Sequence, residues 1–268
     1  MKAIDIVIRD ISGQSELRET EELQKVVWGI PDIEVVPISQ MVAAQAAGGC
    51  LLGAFDSGIL VGFSYGFVSY EKGQMAHHSH MLAVKPEYRN CKLGEKLKRA
   101  QREFVLRQGI SMMSWTFDPL QSLNAYFNFN KLGVVSDQYF VNFYGEDAPS
   151  FLHQNDTDRL WVIWNLKEEN KVSSIEIEKV KRLVRLSEND IPQLFDSSEE
   201  DKKVAIEIPA DINELVKRNS DLAKKWREFT RKAFVNALEK GFTITDFFRG
   251  KRGNSEFGVY LLERKKST

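Results

Sequence analysis

The sequence predicts an α/β (α+β) fold, strands and helices in one array with a smaller αβ extension behind it. Three observations predict it. Apolar residues switch between a period of two and a period of 3.6 in the order β-α-α-β-β-β-α-β-α-β-β over about the first 166 residues. Asp56-Ser57-Gly58 joins two apolar alternating runs as a hairpin would. The strand ending Met81-Leu82-Ala83-Val84 runs through Pro86 and a short polar turn into an amphipathic helix.

Ala3–Arg9 alternates apolar and polar residues and reads as a strand. Ser15–Trp28 places Leu17, Leu23, Val26 and Val27 on one helical side. Ser39 is the expected N-cap of a second helix through Ala47, which Gly48-Gly49 ends. Cys50–Phe55 and Ile59–Tyr70 form the hairpin strands, and Ala76–Val84 is the next strand. The following helix runs from Gly94 to Gln108 with Leu97, Ala100 and Phe104 on its apolar side. Met112–Phe117 is a strand broken by Asp118-Pro119. A helix over Leu120–Lys131 closes at Gly133, and Val134–Tyr144 and Leu160–Leu166 are strands.

Residues 167–179 are polar and charged and read as a linker or exposed edge. Beyond them come strands at Val180–Leu186 and Val204–Ile208, a helix over about Ser220–Lys240, and strands at Phe242–Phe248 and Phe257–Leu262. The expected organisation is a first domain over 1–168 and an extension over 169–268. The long apolar Phe55–Phe67 hairpin and the aromatic strand Tyr139–Tyr144 are candidate edges for a homodimer.

Bulk composition narrows the function. At 268 residues, 43% hydrophobic and 28% charged, the chain is globular. A net charge of −1 provides no drive toward nucleic acid or an anionic membrane. Cys50 and Cys91 form neither a disulfide framework nor a metal cluster, so no metal is expected. The N-terminus lacks the apolar stretch of a signal peptide, and no apolar run approaches a membrane span, so a cytoplasmic location is expected.

The stretch Leu82–Leu97 carries the chemistry. The first N–H groups of a helix have no intrahelical partner, and the helix dipole there favours an anion. Arg89, Lys92 and Lys96 add positive charge at that helix start, which therefore reads as a phosphate or pyrophosphate cradle. The bland reading of the same three cations is a solvated helix start.

Arg89-Asn90-Cys91-Lys92-Leu93-Gly94 resembles the Arg/Gln-x-x-Gly-x-Gly/Ala pyrophosphate loop of the GNAT superfamily of acyl-CoA N-acyltransferases, and the Leu-Ala-Val-x-Pro-x-Tyr-Arg before it is similar to that family's strand and turn. One position departs: the family's first glycine is Lys92. The resemblance spans about residues 3–168 and implies a mixed, mostly antiparallel sheet flanked by helices, with acetyl-CoA as co-substrate. In the family, pantetheine pairs with backbone along the strand before the loop. Carried over, Leu82, Ala83 and Val84 offer those backbone groups. Arg89, Asn90, Cys91, Lys92, Leu93, Gly94 and Glu95 offer N–H groups to the pyrophosphate. The implied activity is acetyl transfer to the amine of a small metabolite by direct attack. Two alternatives stand beside it: a non-catalytic acyl-CoA sensor, and an interaction protein in which Lys92 has closed the loop.

Catalysis of amine acylation needs a base and often an acid for the thiolate. The family's tyrosine, counted back from Gly133, falls on Phe129, which has no hydroxyl; Tyr126, Tyr139 and Tyr144 read mainly as packed aromatics. Three of the four histidines lie in His77-His78-Ser79-His80, with His78 and His80 on one strand face. His80, four residues before Val84, is the candidate base; a hydrogen-bonded strand histidine is the bland alternative. Asn124, in a helix crowded with asparagines, is a candidate coenzyme contact. Asp118 reads as a cap for the next helix or a reader of a cationic substrate. Arg227 and Arg231 share a helix face suited to an anion, or to solvent with Glu228 and Glu239 as partners.

Overall fold

The computed structural model describes residues 6–145, 156–168, 175–187, 190–253 and 255–264. They fall into two compact units: residues 6–115 with 165–167, and residues 116–145, 156–164 and 168 onward. The fold is mixed α/β, with a mostly antiparallel sheet flanked by helices and additional C-terminal strands.

In the first unit the sheet order is β1 (Ile6–Asp10), β2 (Cys50–Asp56), β3 (Ile59–Glu71), β4 (Gln74–Val84) and β5 (Met112–Phe117), the last strand passing into the second unit at Thr116. The first four strands pair antiparallel, and β4 pairs with β5 parallel. Helices α1 (Gly13–Trp28) and α2 (Ile38–Ala46) cover one face, where Leu17, Leu23 and Met41 pack on Leu51, Phe63, Tyr65, Met81 and Ala83. Helix α3 (Leu93–Arg107) covers the other, where Leu93 and Leu97 pack on Ala54 and Val61 with Leu82 and Val84 beside them. The alternation of β4 decides this division, because successive side chains point to opposite faces.

The second unit has the sheet order β7 (Arg159–Asn165), β6 (Val135–Phe140), β11 (Phe242–Arg252), β12 (Ser255–Arg264), β10 (Lys203–Pro209), β8 (Arg182–Leu186) and β9 (Pro192–Leu194). Only β10 and β8 run parallel among the described pairs of this unit. Helix α6 (Ser220–Glu239) lays Trp226, Ala233, Phe234 and Ala237 on this sheet. Tyr260 sits at the centre of its core, edge-on to Phe129, Phe234 and Phe247 at centroid distances of 5.6, 5.1 and 4.7 Å.

Several expectations need correction. Ser39 lies inside the first turn of α2, and Pro37 occupies its N-cap. The helix expected over Leu120–Lys131 is a short α4 (Ser122–Ala125) that widens into a π-helical turn over Tyr126–Leu132, closed by Gly133 in the left-handed conformation. The strand expected over Val134–Tyr144 stops at Phe140. Helix α5 (Ile212–Arg218) and strand β9 had too few apolar residues to read from periodicity. The Phe55–Phe67 hairpin is not an edge, because β2 and β3 each have strand partners on both sides, whereas Tyr139 and Phe140 pair with β7 alone among the described ladders and residues 141–144 lie beyond β6. Residues 3–5 of the first strand, and 169–174 of the polar tract, lie outside the described residues.

Candidate functional site

The site begins where β4 and β5 part. Their ladder consists of His77↔Met113 and His78↔Ser114, after which β4 continues for six residues to Val84. On its other side β4 stays paired with β3 along its whole length. The β5-facing backbone edge from Ser79 to Val84 is therefore outside any described ladder in this unit. Unpaired strand edges are templates for an added strand or an extended ligand.

A β-bulge marks the same place. Tyr65 pairs with Met81 and Gly66 with Ser79, which leaves His80 as the extra residue. The bulge turns His80 and Met81 onto the α1–α2 face. There His80 makes ring contacts with Tyr65 at 6.0 Å, Phe67 at 5.8 Å and His78 at 6.3 Å. His80 is exposed, and the surrounding rings desolvate its imidazole enough to lower its pKa. Burial, aided by His80 and Lys98, pushes His78 down to about 4. At neutral pH both are free bases.

His77 faces the opposite side, fully buried under α3. Gln101 Nε2 lies 3.2 Å from His77 Nε2, so an amide donor there makes Nε2 the acceptor and puts the ring proton on Nδ1. Gln101 Oε1 accepts from Ser79 Oγ at 2.8 Å, and Ser79 Oγ accepts from Lys98 Nζ at 2.6 Å. The Lys98 ammonium lies 3.8 Å above the centre of the Trp115 ring and is 3% exposed. Sequence reasoning passed over Lys98. Its signal was there: Leu93, Leu97, Lys98, Gln101 and Val105 are the buried line of α3.

The C-terminal end of β4 holds the loop. Leu82, Ala83 and Val84 are its last residues; Leu82 and Val84 lean on the α3 side, and Ala83 is buried on the other. Pro86–Cys91 forms a 3₁₀ turn, in which Tyr88 Oη donates to Asp56 at 2.8 Å. Arg89 is exposed and its Nε donates to the Val84 carbonyl at 3.4 Å. Asn90 and Cys91 complete the turn, and the Cys91 thiol is exposed.

Lys92 is the N-cap of α3 and adopts φ 56°, ψ 23°. This left-handed geometry favours glycine, so the resemblance's missing glycine coincides with a backbone that needs one. Leu93 is buried as the first helical residue, and Glu95 pairs with Arg99 at 2.8 Å. A Cβ on Gly94 would meet only Leu82 and Val84, at 3.9 and 4.0 Å, so space opens beyond it.

The remaining candidates belong to the second unit. Asn124 is exposed on α4. Phe129 is buried between Phe117 and Tyr260, and Tyr139 Oη donates to Asp158 at 2.5 Å. The solvated arginine face on α6 is a correction. Arg227 is buried and pairs with Asp118 at 2.8 Å; Arg231 bridges Asp156 and Asp158 at 2.6 and 2.8 Å. Asp118 also accepts from the Leu120 N–H at 2.9 Å, but the N-cap of α4 is Gln121. Among the described residues no single helix is long and apolar enough to cross a membrane.

Comparison with known proteins adds a family. Residues 15–133 match the model of the acetyltransferase (GNAT) family. No curated protein sequence matches the chain significantly. Among solved structures, the chain is similar to a ribosomal-protein alanine N-acetyltransferase from Escherichia coli, at 12% identity and a TM-score of 0.49, over 64% of this chain and 100% of that one. It is similar to the NatC complex bound to Gag peptide and CoA, at 14% identity and a TM-score of 0.50, over 60% and 99%. It is also similar to an aminoglycoside 6'-N-acetyltransferase complexed with coenzyme A, at 16% identity and a TM-score of 0.49, over 63% and 100%.

Proposed function

Because residues 15–133 match the model of the acetyltransferase (GNAT) family, we propose that this chain is an acetyl-CoA-dependent N-acetyltransferase acting on the amine of a small, cytoplasmic metabolite. The coenzyme-binding domain in this reading runs over 1–168, with 169–268 as its extension. One observation carries the reading: β4 loses its β5 partner after His78 and runs six residues, unpaired on that side, into the N-terminus of α3.

Acetyl-CoA supplies the acyl group as a thioester, and the residues provide its bed. The N–H groups of Leu93, Gly94 and Glu95, with the Lys92 ammonium, hold the pyrophosphate at the helix N-terminus. The free edge from Ser79 to Val84 pairs with the pantetheine amides. Backbone groups freed by the bulge at His80 polarise the thioester carbonyl. His80, unprotonated at neutral pH and reachable from solvent, takes the proton from the amine on the α1–α2 face.

Phe129, packed between two aromatic rings without a hydroxyl, favours a second reading, a sensor that binds acyl-CoA and transfers nothing. Calorimetry with acetyl-CoA on wild type and Gly94→Trp tests the common premise. Micromolar binding that the tryptophan abolishes supports it; no binding by wild type rejects both readings. Release of free thiol with a pool of amines then separates enzyme from sensor.

A further inference from the structure

Ser79 and Trp115 are the first residues beyond the last β4–β5 pair, one on each strand. Lys98 contacts both, through a 2.6 Å hydrogen bond to Ser79 Oγ and a 3.8 Å approach to the Trp115 ring. A buried ammonium thus stands at the vertex of the fork. We propose that Lys98 meets the coenzyme A sulfur there and hands it a proton as the carbon–sulfur bond breaks. This rests on the coenzyme reading above.

Three features support it. The first is reach. From Val84, beside the loop, to Ser79 is five residues of strand, about 17 Å at 3.3–3.4 Å per residue, so an arm anchored at the loop and lying along this edge ends at the fork.

The second is donor polarity. Lys98 donates to Ser79, Ser79 to Gln101, and Gln101 to His77, so each hydrogen bond points away from Lys98. An ammonium has three N–H donors. Ser79 accepts one and the Trp115 ring faces the ammonium at 3.8 Å, and no other described side chain accepts from it.

The third is electrostatic. Burial pulls the Lys98 pKa down to about 7, with Cys50 on β2 opposing the shift. His77 and His78 on β4 are neutral neighbours, while Gln101 on α3 and Trp115 on β5 carry no charge. No described carboxylate pairs with Lys98, so the cation lacks the anion that a buried lysine ordinarily keeps. A thiolate at the fork is that anion, and a lysine near neutrality is acidic enough to protonate it.

The step balances. The amine nitrogen forms a bond to the thioester carbon, and the carbon–sulfur bond breaks with its electron pair on sulfur. Sulfur takes a proton from Lys98 Nζ. The proton lost by the amine leaves toward His80 on the opposite face of the sheet, and Lys98 regains its proton from solvent. The products are an amide and free coenzyme A thiol.

The test needs no acceptor. Coenzyme A is bound to wild type, Lys98→Met and Lys98→Gln, and thiolate absorbance is followed against pH, with coenzyme-free protein subtracted to cancel Cys91. Methionine fills the lysine's volume, and glutamine keeps a donor toward Ser79 without the charge. Lys98 beside sulfur makes thiolate appear at least about one pH unit lower in wild type than in either variant, roughly a tenfold preference; the titration belongs to the pair. Equal midpoints, with binding retained, overturn the role of Lys98 and leave the coenzyme reading intact. Binding lost in both folded variants reduces Lys98 to a structural part. No binding by wild type overturns the coenzyme reading and this inference together.

Discussion

Arg227 on α6 and Asp118, at the end of β5, lie 109 residues apart in the chain and close on one another at 2.8 Å, with only 2% of the arginine side chain exposed. The pair ties the C-terminal helix to the segment that follows β5. Breaking it leaves a guanidinium buried without its carboxylate. Asp118→Asn is expected to cost about 3 kcal/mol, read from the urea midpoint. A variant as stable as wild type contradicts a structural role for the pair.

Lys92 holds a left-handed backbone, φ 56°, at which an L side chain is strained. Lys92→Gly relieves about 1–2 kcal/mol of strain and loses part of it to glycine's greater unfolded-state entropy. The net expectation is a gain of about 1 kcal/mol in unfolding free energy. Acetyl-CoA affinity should fall several-fold and its salt dependence flatten, because a cation next to the phosphates is gone. Tighter binding would show that the lysine crowds the loop.

Phe129 falls where the resemblance, counted back from Gly133, would put an acid, but its ring is buried between Phe117 and Tyr260. Phe129→Tyr places a hydroxyl among rings and is expected to lower stability by about 1–3 kcal/mol without raising the rate of thiol release. A clear rate increase would restore the tyrosine position to the mechanism.

Burial lowers the His77 pKa from 6.5 to about 4, and Lys98 and His78 push the same way. The folded protein therefore binds this proton more weakly than the unfolded chain does. Stability is full above pH 6.5 and declines as pH falls from there toward 4, by up to about 3 kcal/mol for His77. Urea midpoints between about pH 7.5 and about pH 4.5 check this. His77→Phe should flatten the slope, and an unchanged slope would assign it to other groups.

The strand, loop and helix around Leu82–Gly94 were legible because each rests on neighbours in sequence. Alternation makes the strand, Pro86 turns it, and the apolar line of α3 makes the helix. The left-handed Lys92 was legible only as a missing glycine. The π-helical turn at Tyr126–Leu132 was not legible, because its residues also suit an ordinary helix. The arginine face on α6 pointed to an anion, and the anions proved to be Asp118, Asp156 and Asp158, at separations of 109, 75 and 73 residues.

Local pattern determined most of this protein's elements, their order and the position of the loop that opens α3, because periodicity and turn chemistry act over a few residues. Tertiary structure decided which polar groups meet. The ladder that stops at His78, the bulge that lifts His80 out, and the ammonium of Lys98 lodged between Ser79 and Trp115 each depend on two or three chain segments converging in space, and no short stretch of sequence carries that convergence.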